Sequence, residues 1–325
     1  MLKVREEERF MNKRILVMLV AILVIMCAGC GKSDKELKLG TAKEGGIYYS
    51  FGNELADILS DEGDINVQTK ETSGSAANIR LISGGYIDMG IAQADLVDNA
   101  INQTGDFKDN KYDGFSAIAS LYTEYCHIVV MADSGIEKID DLIGKTVCIG
   151  EKESGSERNA LQILSAYGLN DSLVKIVNLD YNEAENELKA GKIDALFVTM
   201  GLNTSMLEDI TKDGDVKLLQ IEDNQINKLI KTNTFFEKCT IPKDTYRHQE
   251  EINTVAVNSV LLVNDSVDED IVYKITKCLF EKDTKQKLNK IADMNSDYNI
   301  SADNIPVKIH EGAKKYYKEN NVDIN

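Results

Sequence analysis

Short strand-like segments alternate with helix-like ones along most of this chain, and that alternation leaves few architectures open. Residues 37–42, 65–72 and 89–93 read as strands. Residues 49–60, 76–82 and a stretch through Val97 and Ile101 read as helices, from the spacing of their apolar side chains. From about Ile128 the order repeats. Strands are expected over 146–150, 174–179 and 195–199, helices over 156–167 and 183–190, and a short helical turn over 139–142. A long apolar strand over 254–263 and helices over 268–280 and 311–317 follow. Gly84-Gly85, Gly168 and Gly191 stand where helices must stop. Repeated strand–helix units predict a parallel sheet with helices on both faces. Two such runs in 325 residues predict two α/β lobes with a cleft between them, near the carboxyl ends of the strands.

The first thirty residues are of another kind. Met11-Asn12-Lys13-Arg14 precedes an unbroken apolar run from Ile15 to Met26, then Cys27-Ala28-Gly29-Cys30. A basic start, a short apolar core and small residues at the boundary make an export signal over 1–29. The run is short of the roughly 20 residues of a comfortable membrane span, although an uncleaved anchor is the other reading. Ala28-Gly29-Cys30 fits the end of a bacterial lipobox, so Cys30 is expected to be diacylated and to begin the mature chain, with 30–36 as a tether. Residues 1–10 read as an extra leader. Cys126, Cys148 and Cys278 sit in or beside apolar runs and are expected to be buried thiols, and the cysteine spacing suits neither zinc nor a disulfide scaffold.

Composition excludes one class of partner. A formal net charge of −17 repels nucleic acid, so no nucleic-acid partner is expected. No nucleophile elbow, zinc-protease helix or Walker loop is present, and the three histidines lie far apart in sequence. An enzyme is therefore not expected, nor a metal or cofactor.

Three strand-to-helix turns carry the chemistry that remains. They are Gly45-Gly46-Ile47-Tyr48-Tyr49, Thr72-Ser73-Gly74-Ser75 with Asn78, and Ser154-Gly155-Ser156 with Arg158. Amides at a helix start lack internal partners and carry partial positive charge, so they can hold a carboxylate or phosphate. That lets an acidic chain bind an anion inside a closed cleft. Each turn taken alone is more readily read as a helix cap, and it is the recurrence of three at matching points in two lobes that points to a site. Tyr48 and Tyr49 either wall a pocket or pack beneath the helix. Gln93 and Asp95 follow a strand end, Asp95 as a pocket contact or as a bare cap. Arg158 either pairs with a ligand carboxylate or lies on the outer face of its helix.

These motifs, in order, resemble the TAXI group of receptors that serve tripartite ATP-independent periplasmic (TRAP) transporters. Gly84-Gly85-Tyr86-Ile87-Asp88-Met89-Gly90-Ile91-Ala92-Gln93-Ala94-Asp95, the stretch Leu121-Tyr122-Thr123-Glu124, and His310-Glu311-Gly312-Ala313 with Tyr316-Tyr317 extend the likeness over nearly all of the mature chain. Glu153 stands where the family usually has Gly. The resemblance implies a periplasmic-binding-protein-like fold of type II, with one lobe over 37–127 plus 255–325 and the other over 128–254. It implies capture of a small organic anion (glutamate, a dicarboxylate or a 2-oxoacid) by hinged closure, and delivery to TRAP permease subunits. Tyr122, Thr199 and Asn203 join the site residues on this ground. A binding lipoprotein for an ABC-type importer is the alternative.

Overall fold

In a computed structural model the described residues are 36–246, 250–291 and 300–324. The expected export signal, Cys30 and most of the tether lie outside them.

The first run builds β1 (Leu37–Gly40), α1 (Ile47–Asp61), β2 (Val67–Lys70), α2 (Ser75–Ser83), β3 (Met89–Gln93) and α3 (Ala94–Ile101). Helix α1 forms where Ile47, Phe51, Leu55 and Ile58 recur at helical spacing, and all four are buried. The second run builds β5 (Thr146–Cys148), α4 (Gly155–Ala166), β6 (Lys175–Val177), α5 (Tyr181–Lys189) and β7 (Ala195–Met200). Within each run the strands pair in parallel, β1 with β2 and β3, and β5 with β6 and β7.

The all-parallel expectation fails at two long strands. β4 (Phe115–Met131) and β10 (Ile252–Asn264) pair antiparallel with each other, and each runs through both lobes. β10 pairs antiparallel with β3 in the first lobe, and β4 does so with β7 in the second. The sheet order is therefore β2-β1-β3-β10-β4-β7-β5-β6. Two strands that carry the chain out of one lobe and back from the other must run in opposite senses. β8 (Val216–Leu218) and β9 (Glu237–Ile241) flank them, and α6 (Ser205–Thr211) and α7 (Asp223–Thr232) complete the second lobe. No element is expected from the sequence between 200 and 250, so these four are additions that the structure brings.

After β10 the chain returns to the first lobe as α8 (Glu269–Phe280), α9 (Lys282–Ile291) and α10 (Glu311–Glu319). Tyr317 on α10 is fully buried, and its hydroxyl donates to the Ile118 carbonyl at 2.6 Å, tying the last helix to β4. Cys126, Cys148 and Cys278 are buried free thiols. α10 lies so close on α8 that a Cβ at Gly312 would sit 2.3 Å from the Glu269 carbonyl oxygen. Gly312→Ala is expected to destabilise the fold by about 1–3 kcal/mol through forced separation of the two helices. A urea melt that leaves the midpoint unchanged would refute that packing.

Candidate functional site

Each lobe points two helix starts at the other. On the first lobe these belong to α1 and α2, on the second to α4 and α5. Tyr48, Ser75, Gln93, Glu124, Ser154, Gly155, Ser156, Tyr181 and Thr199 enclose the space between them, together with Ala42, Ile47, Gly74 and Met200. The lobes meet directly. A Cβ at Gly155 would lie 2.4 Å from the Gln93 side chain, and one at Gly74 3.6 Å from Ser154 Cα. Gly74 itself has φ +113°, a backbone region that an L side chain avoids. About 20 Å³ is left between the lobes, room for roughly one water.

Hydroxyls hold the strand ends to the helix starts. Ser75 Oγ accepts from the Gln93 amide at 3.1 Å and exchanges a hydrogen bond with the Tyr48 hydroxyl at 3.2 Å. Ser156 Oγ accepts from the Thr199 amide at 2.9 Å and lies near the Tyr181 hydroxyl. Ser154 caps α4 by accepting from the Glu157 amide at 3.1 Å. At the start of α2 the Ala76 and Ala77 amides donate across the cleft to the Glu153 carbonyl, at 3.1 and 3.4 Å. Glu153, placed where the resemblance has Gly, has φ +67°, the left-handed region that Gly would enter more easily. Arg80 pairs with its side chain at 2.5 Å.

Several residues singled out from sequence lie elsewhere. Asn78 is buried inside the first lobe, where its amide group donates to the Thr41 and Ile91 carbonyls, both at 2.8 Å. Thr72 bonds Asn78 and the Thr41 carbonyl and so braces the same turn. Ser73 reaches Glu151 of the second lobe at 3.3 Å. Tyr49 is half-buried on α1, one residue past the cleft-facing Tyr48, because successive helical positions point about 100° apart. Gly46 lies against Tyr181. Tyr122 packs its ring behind Tyr48, with ring centres 6.5 Å apart. Asn203 donates its amide to the Tyr246 hydroxyl at 3.2 Å, away from the cleft lining. Arg158 points out of the cleft onto Asp106, with Glu157 also 3.5 Å away.

Asp95 is a cross-lobe contact. It is 1% exposed, and its Oδ2 accepts from Asn159 at 3.1 Å and Asn233 at 3.3 Å, both of the second lobe. Burial lifts its pKa to about 6, against the pull of those bonds and of the Leu96 amide.

Sequence reasoning missed two polar lining residues. Tyr181 opens α5, and its signal was the Asp180 cap just before it. Glu124 is the sharper omission. It sits in an otherwise mostly apolar strand, 2% exposed, and accepts from Gln93 Nε2 at 2.9 Å. A lone carboxylate inside an apolar run was the available clue. Burial pushes its pKa up to about 8, with the Gln93 hydrogen bond and then the nearby Tyr48 hydroxyl opposing that rise. Among the described lining residues none is Lys, Arg or His.

Residues 39–320 match the NMT1-like family. A curated relative, the arginine-binding extracellular protein ArtP of Bacillus subtilis (strain 168), is 26% identical over 225 residues, 64% of this chain and 77% of the relative. PhnD1 of Prochlorococcus marinus, solved with methylphosphonate, superposes with a TM-score of 0.57 at 14% identity, over 89% of this chain and 99% of that one. An ABC uptake transporter substrate-binding protein of Streptococcus pneumoniae with bound histidine gives 0.51 at 16% identity, over 82% and 95%. At such identities these two structures speak for the fold alone.

The assignment to TAXI receptors of TRAP transporters is thereby corrected: the family matched is the NMT1-like one, and the curated relative is an arginine-binding extracellular protein. The physical reason is plain. The motifs behind that resemblance are Gly/Ser helix starts and strand ends, which build a two-lobed cleft whichever transporter the protein serves.

Glu124 makes stability depend on pH. The unfolded chain ionises it near the ordinary 4.5, whereas the native protein keeps the proton to about 8. Between those values the native state holds the extra proton, so stability falls as pH rises. Glu124→Gln is expected to flatten that slope, by on the order of a few kcal/mol between pH 5 and 8. Melts of both proteins at the two pH values test this, and equal slopes would refute it. With its fold and its cleft described, the chain belongs to the NMT1-like family and is a two-lobed solute-binding protein.

Proposed function

We propose that this protein captures a small organic solute bearing a carboxylate outside the cytoplasmic membrane and hands it to an ABC-type importer. The observation that carries the reading is the meeting of helix starts from both lobes at one cleft. The Ala76 and Ala77 amides already grip a carbonyl oxygen, that of Glu153. In this reading a ligand carboxylate oxygen takes its place when the lobes part, and Ser75, Ser156 and Thr199 supply further polar contacts. The space of about 20 Å³ admits no such solute, so loading requires a wider cleft than this closed arrangement. Contacts from both lobes then favour closure around the guest, since only the closed form makes them all. No bond in the solute breaks.

The proposed lobes are 37–127 with 255–325, and 128–254, which puts Ser75 and Gln93 on one wall and Ser154, Ser156 and Thr199 on the other. The extracellular, arginine-binding character of ArtP supports export and an importer partner. The Ala28-Gly29-Cys30 sequence supports a lipid anchor at Cys30 on the outer face of the membrane.

A thermal-shift screen of amino acids, dicarboxylates and 2-oxoacids tests the reading. A ligand at a hundred times its Kd stabilises by about 2.7 kcal/mol, and a flat response to all of them would exclude it. Combining Ser75→Ala with Ser156→Ala is expected to weaken the best binder by about 1–3 kcal/mol in calorimetry, without unfolding the protein. Cys30→Ser is expected to release the protein from membranes into the medium. Retention on washed membranes would exclude acylation as the anchor.

A further inference from the structure

We propose that Glu124 and Gln93 form an ammonium subsite, so that the captured solute is an α-amino acid and not a dicarboxylate or a 2-oxoacid. The inference rests on the solute-binding reading above and narrows its ligand.

Counting donors and acceptors leads to it. Glu124 Oε2 takes one hydrogen bond, from Gln93 Nε2 at 2.9 Å. Glu124 Oε1 and Gln93 Oε1 are both buried and without a hydrogen-bond partner among the described residues. Both side chains line the cleft, and each is 2% exposed or less. The two side chains are hydrogen-bonded to each other in a buried site, and once Glu124 is ionised both Oε1 atoms are unfilled acceptors, which suits a group rich in donors; an ammonium brings three. The cleft supplies no cation of its own, so an ionised Glu124 stays uncompensated until a guest brings the charge. The helix-start amides meanwhile offer donors with no anion. One wall thus suits a carboxylate and the floor suits an ammonium, the two charges of a zwitterionic amino acid. A dicarboxylate would set a second negative charge beside Glu124. A 2-oxoacid would offer it another acceptor.

Proton movement gives an independent readout. Burial holds the Glu124 pKa at about 8 in the empty cleft, so near pH 7 the group is mostly protonated. Pairing with an ammonium favours the carboxylate, so binding releases that proton. The other ionisable groups facing Glu124 are Tyr48, Tyr181, Asp95 and Cys126. The Tyr48, Tyr181 and Cys126 pKa values are pushed up by burial, the last two to about 12, so these groups stay neutral there. The Asp95 pKa, at about 6, leaves that group largely ionised at pH 7.

The experiment screens the twenty L-amino acids, their 2-oxoacids and C4–C6 dicarboxylates by thermal shift. The tightest amino acid and its own 2-oxoacid are then titrated calorimetrically at pH 7 into the native protein and into Glu124→Gln, in buffers of different ionisation enthalpy. The amino acid is expected to bind at least tenfold tighter than its 2-oxoacid and to release a proton. Glu124→Gln, with its fold checked by melting, is expected to lose roughly 10- to 100-fold for the amino acid. It should bind the 2-oxoacid within threefold of native and release no proton. A 2-oxoacid or dicarboxylate that binds the native protein as tightly as any amino acid would overturn the inference and leave the solute-binding reading standing. So would an unchanged preference in Glu124→Gln. No binding by any of the three classes would remove that reading as well.

Discussion

Strands β4 and β10 are common property of the two lobes, and the geometry of the cleft follows from their pairing. They lie antiparallel from Ala256 opposite Tyr125 to Asn264 opposite Phe115, with register shifts between Asn258 and Val260 and between Leu261 and Leu262. At the first irregularity Thr123 donates to Asn258 Oδ1 at 2.9 Å, where the strands pass from one lobe into the other. A continuous ladder is stiff, and a bulge is the natural place for it to bend. The same stretch carries Tyr122 and Glu124, so the floor of the cleft is fixed to the strands that join the lobes.

The two lobes solve one problem with interchanged parts. In the first, α1 brings a tyrosine, Tyr48, and α2 a serine, Ser75, and the two bond each other. In the second, α4 brings a serine, Ser156, and α5 a tyrosine, Tyr181, whose hydroxyl lies near that serine. In each lobe the serine also holds the amide at the end of the lobe's third strand, Gln93 or Thr199. The loops before those strands match too. Asp88 accepts from the Lys38 amide at 3.0 Å and Asp194 from the Thr146 amide at 2.8 Å. Because each lobe brings a tyrosine and a serine to its helix starts, either wall presents hydroxyls and a flat ring to the space between.

Much of this was legible in the sequence, and what was not has physical causes. Runs such as Met89–Gln93 and helices with one apolar face gave themselves away by periodicity, and the Gly/Ser turns marked where helix starts would gather. The through-running β4 was hidden because Phe115–Met131 is buried on both faces along nearly its whole length and so shows no clean alternation, and no turn residue marks its middle. The second-lobe segment between β7 and β10 was lost because α7 buries only Ile226 and Leu229, too few to stand out among its polar neighbours. Arg158 shows the limit of chain order as a guide. Two residues beyond Ser156 on a helix is more than half a turn round, so its charge belongs to the rim. Glu124 shows the converse, since a residue far from every Gly-rich turn enters the cleft on a strand that the turns do not announce.

The rim has a consequence of its own. Arg80 of the first lobe holds Glu153 of the second, while Arg158 of the second holds Asp106 of the first. All four side chains are partly open to water, between 23% and 42% exposed. Paired charges so placed attract through solvent, and dissolved ions shorten their reach, from about 30 Å at 0.01 M to 3 Å at 1 M. Dilute surroundings therefore draw the two rims together more firmly than brine does, and the grip of one lobe on the other becomes a function of ionic strength.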